Sequence, residues 1–193
     1  MAEATAAGLP VMAHAQATDG IKAAVRAGVR SIEHGIYLDD EAIAMMLEAG
    51  TWLVPTLIAP VSVVEAAKNG AQLPDGVVAK AEAVIDAHNA SFAAAVAAGV
   101  KVAMGTDSGV GPHGSNLREL ALMAAGGMTP HDVLVATTSS AAELLGVHAD
   151  SGTLAPGKLA DIVVLTGDPV DFAHFKDNIR AVYSGGGLVR GQV

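Results

Sequence analysis

The sequence predicts an α/β fold, with parallel strands alternating with helices over residues 1–150 and a small β-rich segment over 151–193. Three observations carry that expectation. The dipeptide Ala-Gly occurs at 7–8, 27–28, 49–50 and 98–99, each time closing an Ala-rich stretch and opening an apolar run. The four runs, LPVMAHA, VRSIEHG, TWLVPTL and VKVAMGTD, are continuous rather than alternating, as in strands buried on both faces. Hydrophobic residues make up 51 % of the 193, yet only 3 % are aromatic, which suits small-residue helices packed on a sheet.

In chain order, MAEATAAG reads as the last turns of a helix. The first apolar run follows, then a helix over Thr18–Ala27 and the second run. A helix over Asp39–Ala49 comes next, with Asp39 as its N-cap. The third run leads into a long connection over 55–75, of a length that is more often functional than accidental. A helix over Asp75–Ala98, with Asp75 as its N-cap, precedes the fourth run. Glycine after each helix is the left-handed C-cap signal. Four strand–helix units in a row imply a parallel sheet with right-handed crossovers. Beyond a Gly-rich loop at 105–115, Thr129-Pro130 marks a helix start. Ser140 to Glu143 reads as a capping box, and Gly146 closes that helix. From Ser151 the texture changes. GTLAPGKLADIVVLTGDP reads as turn, strand and turn, and residues 179–192 as a hairpin around Ser184–Gly187.

Charge and composition exclude several functions. The net charge is −9 with no basic cluster, which argues against nucleic acid or an anionic membrane surface as partner. Cysteine is absent, so a metal would need His and carboxylate ligands. The longest apolar run, SFAAAVAAGV, is too short to cross a membrane. No basic flank precedes an apolar core at the N-terminus, so the expected location is cytoplasmic, with a leader ahead of this segment left open.

The chemistry gathers where parallel sheets place it, at the C-terminal ends of strands. His14 and His34 each lie six residues after a glycine, Gly8 and Gly28, and Asp107 ends the fourth run. A single strand-end histidine is ordinarily a hydrogen-bonded structural residue. The same position twice, joined by a carboxylate in a Gly-rich loop, points to zinc or a similar divalent ion. Gly109, Gly111 and Gly114 also match G-x-G-x-x-G. That nucleotide reading is weak. Pro112 removes an amide donor, Asp107 would repel a pyrophosphate, and no acidic strand end follows about 20 residues on. His88, His131, His148 and His174 fall on predicted helices or surface turns and receive no role.

Taken together, VMAHAQATDGIKAAVRAGVRSIEHGIYLDDEAI, GTWLVPTL, GTDSGVGPHGSNLRELALM and GTLAPGKLADIVVL resemble the amidohydrolase superfamily. The likeness is to its imidazolonepropionase and prolidase-like branch, which includes metal-dependent dipeptidases, and it runs from about residue 3 to 190. It implies the C-terminal half, strands 5–8, of a (β/α)₈ TIM barrel plus part of a small composite β-sandwich. It implies His14 and His34 as metal ligands and Asp107 as the carboxylate that binds metal and moves the proton. Tyr37 resembles a tyrosine that hydrogen-bonds the substrate carbonyl, and His113 sits where substrate could meet it. The implied cofactor is one or two divalent ions, zinc foremost. The implied reaction is hydrolysis of an amide C–N bond in a dipeptide-like or cyclic amide substrate.

The chain departs from that pattern in one large respect. It contains no His-x-His and begins just before the fifth strand, so the ligands of strands 1 and 4 have no counterpart. Half a barrel leaves two sheet edges unpaired, and such edges invite association. The expected partner is therefore a second copy or a missing N-terminal half. Two rivals stand beside the hydrolase reading: a non-catalytic half-barrel module that self-associates, and a nucleotide-binding domain using 109–114.

Overall fold

The computed structural model describes residues 1–191, so the last predicted hairpin residue and the end of the 151–193 segment lie outside it. The elements in order are α1 (Ala2–Ala6), β1 (Met12–Ala15), α2 (Thr18–Arg26), β2 (Ser31–His34), α3 (Asp40–Ala49), β3 (Trp52–Val54) and α4 (Ile58–Lys68). There follow α5 (Val77–Ala98), α6 (Arg118–Ala125), α7 (Pro130–Thr137), α8 (Ser139–Leu145), β4 (Ile162–Leu165), β5 (Ile179–Ser184) and β6 (Gly187–Gly191).

Strands β1, β2 and β3 form a parallel sheet in that order, with Met12 opposite Ser31 and Ser31 opposite Trp52. The fourth predicted strand shrinks to one bridge, Val102 beside Leu53. The Leu53 amide donates to the Lys101 carbonyl and the Ala103 amide to the Leu53 carbonyl, at 2.8 and 3.0 Å. The next amide, Met104, turns away to the Ala136 carbonyl on α7, and the ladder ends there. The sheet is therefore open, not a closed barrel. The chain's remaining strands form a separate antiparallel sheet, β4-β5-β6. Its hairpin turns on Gly185 and Gly186, both at positive φ, as a two-residue turn between right-twisted strands requires.

Alternation along the strands divides the parallel sheet into two faces. On the outer face Ala15, Ile32, Leu53 and Val102 join one core with Ile21, Met46, Phe92, Leu120 and Met123 from the covering helices. On the inner face Trp52, Val54 and Ala103 pack against Ala141 and Leu144 of α8. Arg30 fastens α8 at one end of the sheet by donating from Nε to the Leu144 carbonyl and from Nη2 to that of Glu143, both at 2.6 Å. The rest of the inner face is open, and Met12 there is 67 % exposed.

The glycines of the four Ala-Gly pairs that precede the apolar runs adopt positive φ, between 66° and 85°, whereas that of a fifth pair, Ala125-Gly126, sits at −77°. Asp39 caps α3, accepting from the Ala42 amide at 2.8 Å, and Thr129 caps α7 with Pro130 in its first turn. Three expectations need correction. Asp75 is not a cap: Gly76 holds the N-cap position of α5 at φ 78° and no side chain bonds there. The Ser140 capping box does not form, because α8 already begins at Ser139. Its N-cap, Thr138, turns its hydroxyl back to the Leu134 carbonyl instead. The 55–75 connection is mostly the helix α4, whose Pro60 sits in the first turn, where proline is tolerated. Among the described residues no helix is long and apolar enough to cross a membrane.

The contrast between the two aspartates is testable. Asp39→Ala is expected to lower stability by about 1 kcal/mol. Asp75→Ala is expected to stay within about 0.5 kcal/mol of the parent. Urea denaturation of both variants checks this.

Candidate functional site

The site is built where the parallel strands stop. Among the described residues only three non-glycine residues adopt positive φ: His34 at 75°, Thr56 at 53° and Asp107 at 51°. His34 ends β2, Thr56 follows β3, and Asp107 follows the Val102 bridge, so all three share one end of the sheet. Such backbone costs on the order of 1–3 kcal/mol per residue, most plainly for β-branched threonine, and persists only where its surroundings enforce it. Gly35 is needed beside it. Its φ is 62°, and a Cβ there would lie 2.7 Å from Leu53 Cδ1.

The His14 and His34 rings meet edge to face, with centroids 4.4 Å apart and planes at 70°. His34 Nδ1 lies 2.6 Å from Thr56 Oγ1, which leaves Nε2 as the nitrogen available to a ligand. Burial pulls the His34 imidazole below its usual range, His14 adds to that, and Asp107 opposes it. A neutral imidazole is the form that binds a metal. His14, His34 and Asp107 line one cavity of about 230 Å³, together with His88, Lys80 and Val110.

Two buried polar residues were not singled out by sequence. His88, on α5, is 1 % exposed and donates from Nε2 to the His34 carbonyl at 3.0 Å, bracing the strained end of β2. Burial holds its imidazole below the ordinary value of 6.5, against the opposing pull of the His34 and Pro55 carbonyls. Its sequence signal was the spacing of His88, Ser91, Phe92 and Ala95, which marks one buried helical face. Ser91 works beside it, donating to the Ile36 carbonyl and accepting from the Leu38 amide. Glu119, on α6, is fully buried. Its two oxygens accept from the Leu57 and Ile58 amides, each at 2.8 Å, and burial pushes its pKa up to about 7.

The other expected residues lie apart from this cavity. Tyr37 is 42 % exposed on the loop after β2, held through its backbone by the Gln16 carbonyl and the Thr18 hydroxyl, and is not among the lining residues. His113 lines a neighbouring crevice with Arg118, Phe172 and Lys176. The Gly109–Gly114 stretch does not open a helix, since α6 begins only at Arg118. A Cβ on Gly111 would strike Ser62 Oγ at 2.6 Å, so this loop is packed onto α4 rather than open to a pyrophosphate.

Two imidazoles edge to face, that of His34 disfavoured from taking a charge by burial, with Asp107 in the same cavity, match the donor chemistry of a divalent ion. They do not complete it. Among the described residues no group of three His, Cys, Asp or Glu side chains is close enough to hold a metal.

The sequence profile of the amidohydrolase family matches residues 1–189. The chain is 36 % identical over 188 residues to ochratoxinase of Aspergillus niger, an alignment covering 94 % of this chain and 38 % of that protein. It is 34 % identical over 169 residues to imidazolonepropionase of Rhizorhabdus wittichii, covering 83 % and 37 % respectively. A crystal structure of an Xaa-Pro dipeptidase with bound methionine superposes with a TM-score of 0.91 at 37 % identity, over 98 % of this chain and 47 % of that one. The chain thus spans less than half the length of each.

The buried imidazoles set a pH dependence. His34 and His88 stay neutral in the folded chain while unfolded histidines protonate, so their contribution to stability falls as pH drops through 6.5. Glu119 acts oppositely, keeping a proton the unfolded chain has lost between 4.5 and about 7, so its contribution fades as pH rises across that window. Comparing the parent with His88→Gln cancels the Glu119 part. The stability gap between them is expected to be wider at pH 7.5 than at pH 5 in urea denaturation, and an equal gap would contradict a neutral buried His88.

Proposed function

Because this chain belongs to the amidohydrolase family, we propose that it forms the C-terminal half of a metal-dependent hydrolase barrel. The complete site cuts the amide C–N bond of a dipeptide-like or cyclic amide substrate. The observation that carries this reading is the edge-to-face His14–His34 pair, with His34 kept neutral, in one cavity with Asp107. The likeness to an Xaa-Pro dipeptidase supports a small peptide-like substrate.

In this reading His14 and His34 hold a divalent ion, zinc foremost, through ring nitrogens. When bound, such an ion supplies a Lewis acid and a water acidified to about pKa 7. Asp107 takes a proton at a carboxylate oxygen and returns it to the leaving nitrogen. Tyr37, at the exposed rim, donates to the substrate carbonyl, and His113 contacts the outer part of the substrate. The apolar wall of the cavity excludes bulk water and strengthens each of these interactions.

The remaining ligands come from strands outside this chain, supplied by an N-terminal half or by a second copy. The bare inner face favours such a partner. Its cavity of about 270 Å³ is lined by Met12, Glu33, Val54, Ala103 and Leu144. The same observation supports the second reading, a half-barrel module that associates without catalysing. The proposed setting is the cytoplasm.

Supplying the N-terminal half of a prolidase-like relative in trans tests the catalytic reading. Hydrolysis of Xaa-Pro dipeptides or a cyclic amide is expected to appear only in the mixture, to vanish on chelation, and to fall at least about 100-fold with His34→Ala. A mixture that turns over with His34→Ala as well as with the parent would remove His34 from the site.

A further inference from the structure

Thr56 holds a backbone conformation that a β-branched residue rarely takes, and the two residues after it explain how. The amides of Leu57 and Ile58 form the buried N-terminal end of α4, and both donate to Glu119, one to each carboxylate oxygen at 2.8 Å. Helix N-termini leave such amides without partners and favour a negative group beside them. No side chain of α4 itself provides the cap. Glu119 comes instead from α6, 61 and 62 residues further along the chain. Its neighbour Arg118 binds Glu65 on α4 with two nitrogens, at 2.7 and 2.6 Å, so α6 grips α4 at two points. Thr56, immediately before the gripped amides, points Oγ1 at His34 Nδ1.

We propose that Glu119 is the positioning residue for His34: it fixes the start of α4, the start of α4 fixes Thr56, and the Thr56 hydroxyl fixes which way the imidazole faces and which nitrogen it presents. The role rests on the reading of His34 as a ligand, but the geometry stands without it. It also ties the site to the Asp107 loop, because α6 is the element that this loop leads into.

Glu119 could cap α4 for stability alone, so the test must read the His34 ring itself. The metal-free chain is labelled with nitrogen-15 in its histidine rings, and His34 is identified by its loss in His34→Asn. Its ring nitrogens report one fixed tautomer in the parent. Glu119→Gln is expected to move them toward the averaged values of exposed His113 and His148. Thr56→Val, which keeps Glu119 and removes only the hydroxyl, is expected to do the same, and Thr56→Ser to restore the parent values. Where Glu119→Gln does not fold, Glu119→Asp is read by the same criterion. A folded Glu119 variant that loses stability but leaves the His34 nitrogens at parent values overturns the proposal. Because no metal is present, this result is independent of whether His34 ligates an ion.

Discussion

The short contact between His34 Nδ1 and Thr56 Oγ1 holds the site together. It joins two of the three strained residues in the described chain and decides which imidazole nitrogen faces the cavity. Each partner is secured from a different direction. The His34 carbonyl is bound from below by His88 on α5, and Thr56 is held by the amides that Glu119 grips from α6. A parallel sheet delivers its strand ends to one side, but it does not orient the side chains there. Here that orientation comes from two polar groups sunk into otherwise apolar helix faces.

This arrangement explains why the buried polar groups carry such displaced affinities for protons. Burial takes His34 and His88 out of water and disfavours charge on both, with His14 adding to this at His34 and His34 at His88. Glu119 is taken out of water with only two amides to compensate. Buried polar groups of this kind are costly unless their partners are in place, so they make the site rigid when complete and fragile when disturbed. The open inner face is the opposite case. Met12 and the β1 edge are bare, and the parallel ladder stops at Val102 because the next amide is diverted to α7. The chain therefore combines well-braced strand ends with a parallel sheet whose inner face and β1 edge are open.

Much of the fold was legible in the sequence because it is written in local chemistry. The four Ala-Gly pairs mark helix ends followed by glycine at positive φ; strands β1, β2 and β3 follow the first three, and the single Val102 bridge follows the fourth. The His14 and His34 positions followed from counting, and the structure brings them to one cavity with Asp107. What the sequence hid was long-range. The spacing of His88 with Ser91, Phe92 and Ala95 marks a buried face, but nothing local says that His88 meets a carbonyl 54 residues away or that Glu119 meets amides 61 and 62 residues away. Helix α4 was hidden for a different reason, since Pro60 reads as a breaker unless its place in the first turn is known. The Asp75 and Ser140 caps failed because the helix starts were shifted by one or two residues, to Gly76 and Thr138.

The central claim is that the His14–His34 pair is half of a metal site. It is tested most directly by titrating zinc into the purified chain while following the ring nitrogens of all seven histidines and the mass in solution. The account predicts that His14 and His34 shift together and first, most strongly at His34 Nε2, and that the mass rises as second copies complete the donor set. Zinc that shifts exposed histidines such as His113 and His148 while His14 and His34 stay unmoved would contradict it.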